Sequence, residues 1–228
     1  VTKGLAQALP EKEQWEEDIK EEFRKEIQNL PAVVKATPPA TLFNPSVMPV
    51  PENPLDAAIE KAREACVNKE YEEFHLLDVA GKHVFPVHKS GVYGGDIPDD
   101  WKAELKDNIF LHNHPSGLMP ERNGYGNSFS KEDITTASIA KFSKIITVTP
   151  KRDYIMNPKN NVWPTEDEIK RKYDSEKSNI VVSLAKRVYL GKISTDTAYM
   201  LLDHLIWKKI AIGLGLEYII VRRNEYGK

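Results

Sequence analysis

A short apolar run, Asn108-Ile109-Phe110-Leu111, leads into His112-Asn113-His114-Pro115, and Ser130-Lys131-Glu132-Asp133 opens the next apolar stretch. The order of these residues predicts a buried strand, a loop and a helix start. Side chains on a strand alternate faces, so His112 and His114 point the same way. Pro115-Ser116-Gly117 ends the strand, which places the histidines at its exit. Ser130 suits a helix N-cap, and an acid in the first turn suits the helix dipole. That capping role and a ligand role for Asp133 are compatible, because a capped first turn is a rigid mount.

Two imidazoles and one carboxylate are the donor set of a catalytic zinc site, which keeps a fourth position for water. Zinc held by His112, His114 and Asp133 would have N–Zn distances of ~2.0–2.1 Å. It would lower the pKa of its water from 15.7 to about 7 and polarise a carbonyl. The Ser130 hydroxyl, three residues before Asp133, could donate to a developing oxyanion. A general base is still required, and a glutamate from elsewhere in the chain is the natural one.

Composition narrows the alternatives. The chain has 228 residues, 40% hydrophobic and 29% charged, enough for one sizeable domain or a core with additions. Its 32 basic and 34 acidic residues give a net charge of −2 and no basic excess to indicate a nucleic-acid partner. No apolar run approaches the length of a membrane span, and no signal peptide is visible, so a cytoplasmic location without a membrane partner is expected. The first residue is Val1, which suggests a processed protein or a fragment. The single Cys66 excludes an internal disulfide, a cysteine-based zinc site and the Cys-x-x-Cys pair of zinc nucleobase deaminases. It reads as a packing residue.

Three segments are expected. Residues 1–56 form an N-terminal arm. In it, Trp15, Ile19, Phe23, Ile27 and Leu30 make one apolar stripe on a helix over 11–30, and seven prolines between Pro31 and Pro54 make a linker or strap. Residues 57–160 form the α/β core. A helix that starts at Asn53-Pro54, at the end of the arm, leads into it. Glu73–Leu77 and His83–Val87 read as a hairpin around Asp78-Val79-Ala80-Gly81, and a short helix begins at Asp99. A helix over 131–142 follows the histidine strand, with further strands at Lys144–Thr149 and Asp153–Met156. Residues 161–228 form a helical extension: a helix capped by Thr165 and Glu168, another from Thr195 to Ile212, and a short apolar tail from Leu216 to Val221. His204, on the second of these helices, reads as a packed or exposed residue rather than a fourth ligand.

The pattern His112-x-His114-Pro115…Ser130-x-x-Asp133 resembles the JAMM (MPN+) zinc metalloproteases, and His112-Asn113-His114-Pro115-Ser116-Gly117 is similar to the RadC-like and phage-borne branches of that family. The likeness covers roughly residues 70–157. It implies a cytidine-deaminase-like α/β core, a mixed sheet with flanking helices. It also implies one catalytic zinc ion on His112, His114 and Asp133, an oxyanion role for Ser130, and hydrolysis of peptide or isopeptide bonds. The family's base is a glutamate upstream of the histidines. Periodicity leaves Glu70, Glu72 and Glu73 open; in phage-borne relatives the glutamate precedes an Asp-x-x-Gly turn, which favours Glu72 before Asp78–Gly81.

One departure from the family is the spacer from Pro115 to Phe129, which is longer than usual. Its segment Leu118–Asn127 either lines the substrate groove, through residues such as Leu118, Met119 and Tyr125, or is a surface insertion. The C-terminal run Asp203–Trp207 and Gly213–Tyr218 resembles the tail of some tailed-phage head-morphogenesis proteins. The substrates this implies are a protein or peptide, with phage head proteins or a ubiquitin-like conjugate as examples and a virion-associated location as a variant. The competing reading is a phage or prophage assembly module whose zinc site is not its main function.

Overall fold

The computed structural model describes residues 53–91, 95–118 and 126–223. The helix expected over 11–30, most of the proline-rich linker, Met119 and Tyr125 lie outside these residues.

The fold is mixed α/β, with a six-stranded mixed sheet flanked by helices. The strands are β1 (Glu73–Leu77), β2 (His88–Lys89), β3 (Ile109–Asn113), β4 (Lys144–Val148), β5 (Arg152–Pro158) and β6 (Leu216–Arg222), in the spatial order β2-β1-β3-β4-β5-β6. Only β3 and β4 are parallel; every other neighbouring pair is antiparallel. A parallel pair needs a crossover, and α2 (Lys131–Ala140) supplies it.

The sheet's two faces bury different clusters. Phe74, Leu76, Phe110, Ile145, Tyr154 and Met156 lie on one face, under α2, α3 (Glu166–Tyr189) and α4 (Thr195–Ile210). Leu77, Ile109, Leu111, Ile146 and Val148 lie on the other, against Ala62 and Cys66 of α1 (Pro54–Cys66). Both faces of β3 and β4 are covered, so these strands read as continuous apolar runs. Asn53 caps α1 by accepting from the Asp56 amide, with Pro54 in the first turn. α1 is tethered to the sheet by Arg63, which reaches the buried Asp153 carboxylate at 3.0 Å. Cys66 is fully buried among these residues, and burial pushes its thiol up to about 12, as suits a packing role.

Two expectations change. His83–Val87 is not a strand. His83 forms a single bridge with Leu77 and Val84 donates to the Leu76 carbonyl, but the chain then leaves the sheet and rejoins it at His88–Lys89. Pro86 lies in that gap and has no N–H to donate to a ladder. The apolar tail at the end of the helical segment after residue 160 is a strand. Leu216–Arg222 is an edge strand paired along β5, and Ile169, Leu184, Leu202, Trp207 and Leu216 share one core with Phe74 and Phe110.

Candidate metal centre

The centre sits where the parallel strands end and α2 begins. Crevices outside the carboxyl ends of parallel strands are common ligand sites in α/β sheets. In β3, His112 stands directly between Phe74 of β1 and Thr147 of β4. His114 follows the strand's last residue, and its amide still donates to the Val148 carbonyl at 3.0 Å, continuing the parallel ladder. Both histidines therefore face the same side as α2.

His112 Nε2 and His114 Nε2 are 3.1 Å apart. Asp133 Oδ1 is 3.6 Å from the first and Asp133 Oδ2 is 3.7 Å from the second. Tetrahedral zinc with bonds of about 2.0–2.1 Å has ligand–ligand edges of about 3.3–3.4 Å. The separations lie close to that value, each histidine facing its own oxygen of the Asp133 carboxylate, so this buried to half-buried His-His-Asp group could hold a metal ion. The contrast with His75 and His83 is informative. Their facing nitrogens are 3.0 Å apart, nearly the same separation, but their ring centres are 5.3 Å apart against 4.9 Å for His112 and His114. His75 and His83 point at each other end to end, as an N–H···N bond requires. His112 and His114 do not meet end to end in this way. Side-chain exposure rises from 2% at His112 to 12% at His114 and 23% at Asp133, so the cluster opens to solvent on the His114–Asp133 side.

Local structure prepares each donor. His114 Nδ1 is 3.0 Å from the Asn127 carbonyl. A carbonyl only accepts, so Nδ1 carries the proton and the neutral ring has its lone pair on Nε2, toward the cluster. Asp133 is held by a reciprocal capping box: its amide donates to Ser130 Oγ at 3.0 Å, and its Oδ2 accepts from the Ser130 amide at 2.7 Å. Burial works against the Asp133 carboxylate. The facing His112 and His114 and the two contacts with Ser130 outweigh it and hold the carboxyl below its ordinary range. Burial also lowers His112 to about 4, with Asp133 opposing and His114 reinforcing the shift. His112 is thus neutral at neutral pH, the form that ligates a metal.

The strand register separates the candidate bases. Phe74 lies directly opposite His112, so continuing that register by two residues sets Glu72 beside His114, on the same face of the sheet. Glu72 is buried and its backbone is extended, bonded to the Gly91 carbonyl and the Ser90 amide. Glu73 is on the α1 face with His75 and Leu77; its amide donates to Asn113 Oδ1 at 2.7 Å, and its carboxyl accepts from the Tyr71 hydroxyl at 3.2 Å. Glu70 is exposed in the turn before the strand.

Other residues at the site gave no sequence signal. Thr147 is fully buried, with its hydroxyl 3.0 Å from His112 Nε2. Asn113, between the two histidines, donates its side-chain amide to the Lys69 and Tyr71 carbonyls and so fixes the chain leading to Glu72. A threonine in an apolar strand looks like any β-former. Asn113 could have been noticed, since an asparagine inside a buried strand needs partners. Of the loop residues, Leu118 ends a 3-10 turn over Pro115–Leu118. Gly117 and Gly126 meet at the base of the intervening segment: a Cβ on Gly126 would come within 3.2 Å of the Gly117 nitrogen and 2.6 Å of Thr149 Cγ2. His204 is buried, with Nδ1 3.0 Å from the Tyr218 hydroxyl, so it packs and is not grouped with the ligands.

Compared with family models, curated proteins and solved structures, the chain matches none. Among the described residues, no helix is long and apolar enough to cross a membrane.

Proposed function

We propose that the chain is a zinc-dependent hydrolase of the JAMM type that cleaves peptide or isopeptide bonds. The observation that carries this reading is the convergence of His112 Nε2, His114 Nε2 and Asp133, together with a buried glutamate, Glu72, placed by register on the same sheet face. The donor set suits zinc: two neutral imidazoles and a carboxylate, one of them with its other ring nitrogen bonded to a carbonyl. Zinc bound there would supply Lewis acidity and a water whose pKa falls from 15.7 to about 7.

The chain's own residues do the remaining work. Glu72 takes a proton from the attacking water and delivers it to the leaving amine, the two transfers required to split an amide. Ser130 accepts from the Asp133 amide through its oxygen, and its hydroxyl proton serves the developing oxyanion.

Zinc analysis of the purified chain and a cleavage assay on ubiquitin-like conjugates and model peptides test the proposal. About one equivalent of zinc is expected, with cleavage abolished in Glu72→Gln and Asp133→Ala. A chain that takes up no zinc after supplementation would refute the reading.

A further inference from the structure

The segment from Gly126 to Ser130 carries both supports of the candidate centre: the Asn127 carbonyl that orients His114, and the Ser130 cap that orients Asp133. The segment has no helix or strand of its own. Such a segment needs partners for its carbonyls when buried, and Gly126, Ser128 and Phe129 are buried.

Its carbonyls are taken by side chains from separate elements. Tyr154 of β5 donates its hydroxyl to the Gly126 carbonyl at 3.4 Å. His114 takes the Asn127 carbonyl. Trp207 of α4 donates its indole N–H to the Phe129 carbonyl at 2.8 Å. Trp207 is fully buried and rests against the Tyr173 ring of α3, with centroids 5.2 Å apart. On the other side of Ser130, Lys131 is held by Asp174 at 3.0 Å and lies over the same Tyr173 ring. Ser130 is therefore bracketed from both sides by the two helices after residue 160.

We infer that Trp207 and Tyr154 are positioning residues for the metal centre: by fixing the carbonyls on either side of Asn127, they aim the Asn127 carbonyl at His114 Nδ1 and so set which nitrogen of His114 faces the metal. This rests on the proposed metal-binding reading for its use but not for its test. Neither residue belongs to the His112, His114 and Asp133 group itself.

Metal-free full-length chain with 15N-labelled histidine reads the tautomer of His114 directly through long-range proton–nitrogen correlations. Wild type shows the proton on Nδ1. Trp207→Phe keeps an aromatic ring but removes the donor, and Tyr154→Phe removes the other; each is expected to shift His114 toward a mixture with Nε2–H. Loss of a partner of this kind also weakens metal binding about 10-fold or more, readable by zinc competition against a chelator. Tyr173→Phe, which loses a buried donor to Asp203 but none to the segment, is expected to change neither readout. Should Trp207→Phe fail to fold, Tyr154→Phe decides the matter alone. Variants that retain the Nδ1 proton and wild-type zinc affinity overturn the inference, even if they are less stable. A wild-type chain that shows the Nδ1 tautomer and binds no zinc overturns the hydrolase reading and leaves the positioning role standing.

Discussion

The proposed reading gives Asp133 two jobs, helix cap and metal ligand, and Asp133→Asn separates them. In the metal-free protein the substitution is mild. An asparagine oxygen can still accept from the Ser130 amide, as the carboxylate does at 2.7 Å, and the Ser130 cap on the residue-133 amide is untouched. What is lost is a charge at a helix N-terminus, typically 0.3–1 kcal/mol, so less than about 1 kcal/mol of stability should go. In the presence of zinc the loss is larger. Removing a partner outside the first ligand shell already costs about 10–100-fold in affinity, so removing the anionic ligand itself should cost about 100-fold at least. A ligand at about 1,000 times its Kd stabilises the folded state by about 4.1 kcal/mol; at about 10 times its Kd the same relation gives about 1.4. The zinc-linked stabilisation should fall by about 2.7 kcal/mol, well above the capping effect. Urea unfolding of both proteins, once with chelator and once with zinc at about 1,000 times the wild-type Kd, measures both quantities. Equal zinc-linked stabilisation in the two proteins would refute the assignment of Asp133 as a ligand.

Glu72→Gln should retain zinc and lose cleavage, whereas Glu73→Gln, on the opposite sheet face, should cleave within a few-fold of wild type; the pair of rates checks the register argument. Gly126→Ala should destabilise by about 1–3 kcal/mol, the usual cost of overpacking, because its Cβ would meet Thr149 Cγ2 at 2.6 Å and the Gly117 backbone at 3.2 Å; a chemical-denaturation midpoint equal to wild type would contradict it. The metal-free protein should lose stability as pH falls from 6.5 toward 4. His75, His112 and His204 are each lowered by burial to about 4 in the fold, and burial lowers His83 as well, so on these histidines the unfolded chain binds more protons than the folded one in that window. Asp203, raised by burial to about 7, and Asp153, also raised by burial, bind protons in the folded state and oppose this. The lowered histidines outnumber the raised carboxyls, so stability should rise with pH across this window, by about 1.4 kcal/mol per pH unit for each net proton; a flat profile from pH 4 to 6.5 would contradict it.

The elements that surround the centre were legible in the sequence because each carries its own local signal. Pro115 and Gly117 after an apolar run end β3, Ser130 and Asp133 open α2, and Thr165 and Glu168 open α3. What failed depended on partners. Leu216–Arg222 reads as an apolar tail until β5 is there to pair with it. Glu72 and Glu73 could not be separated by alternation, since Phe74 and Leu76 on one face and Leu77 on the other are all buried; the pairing of Phe74 with His112 is what tells which face the histidines share. Trp207 and Thr147 act through single hydrogen bonds to residues 78 and 35 positions away, a distance at which sequence pattern carries no information.

The meeting of Gly117 and Gly126 makes the eight residues between them a cassette. Its two ends are clamped by backbone contact, so the geometry of the ligands on either side does not depend on how many residues the cassette holds. Closing a longer loop is inexpensive, with each doubling of length adding only about 0.6 kcal/mol. The segment can therefore diverge in sequence and length, or be exchanged by design, at little risk to His114 or Ser130.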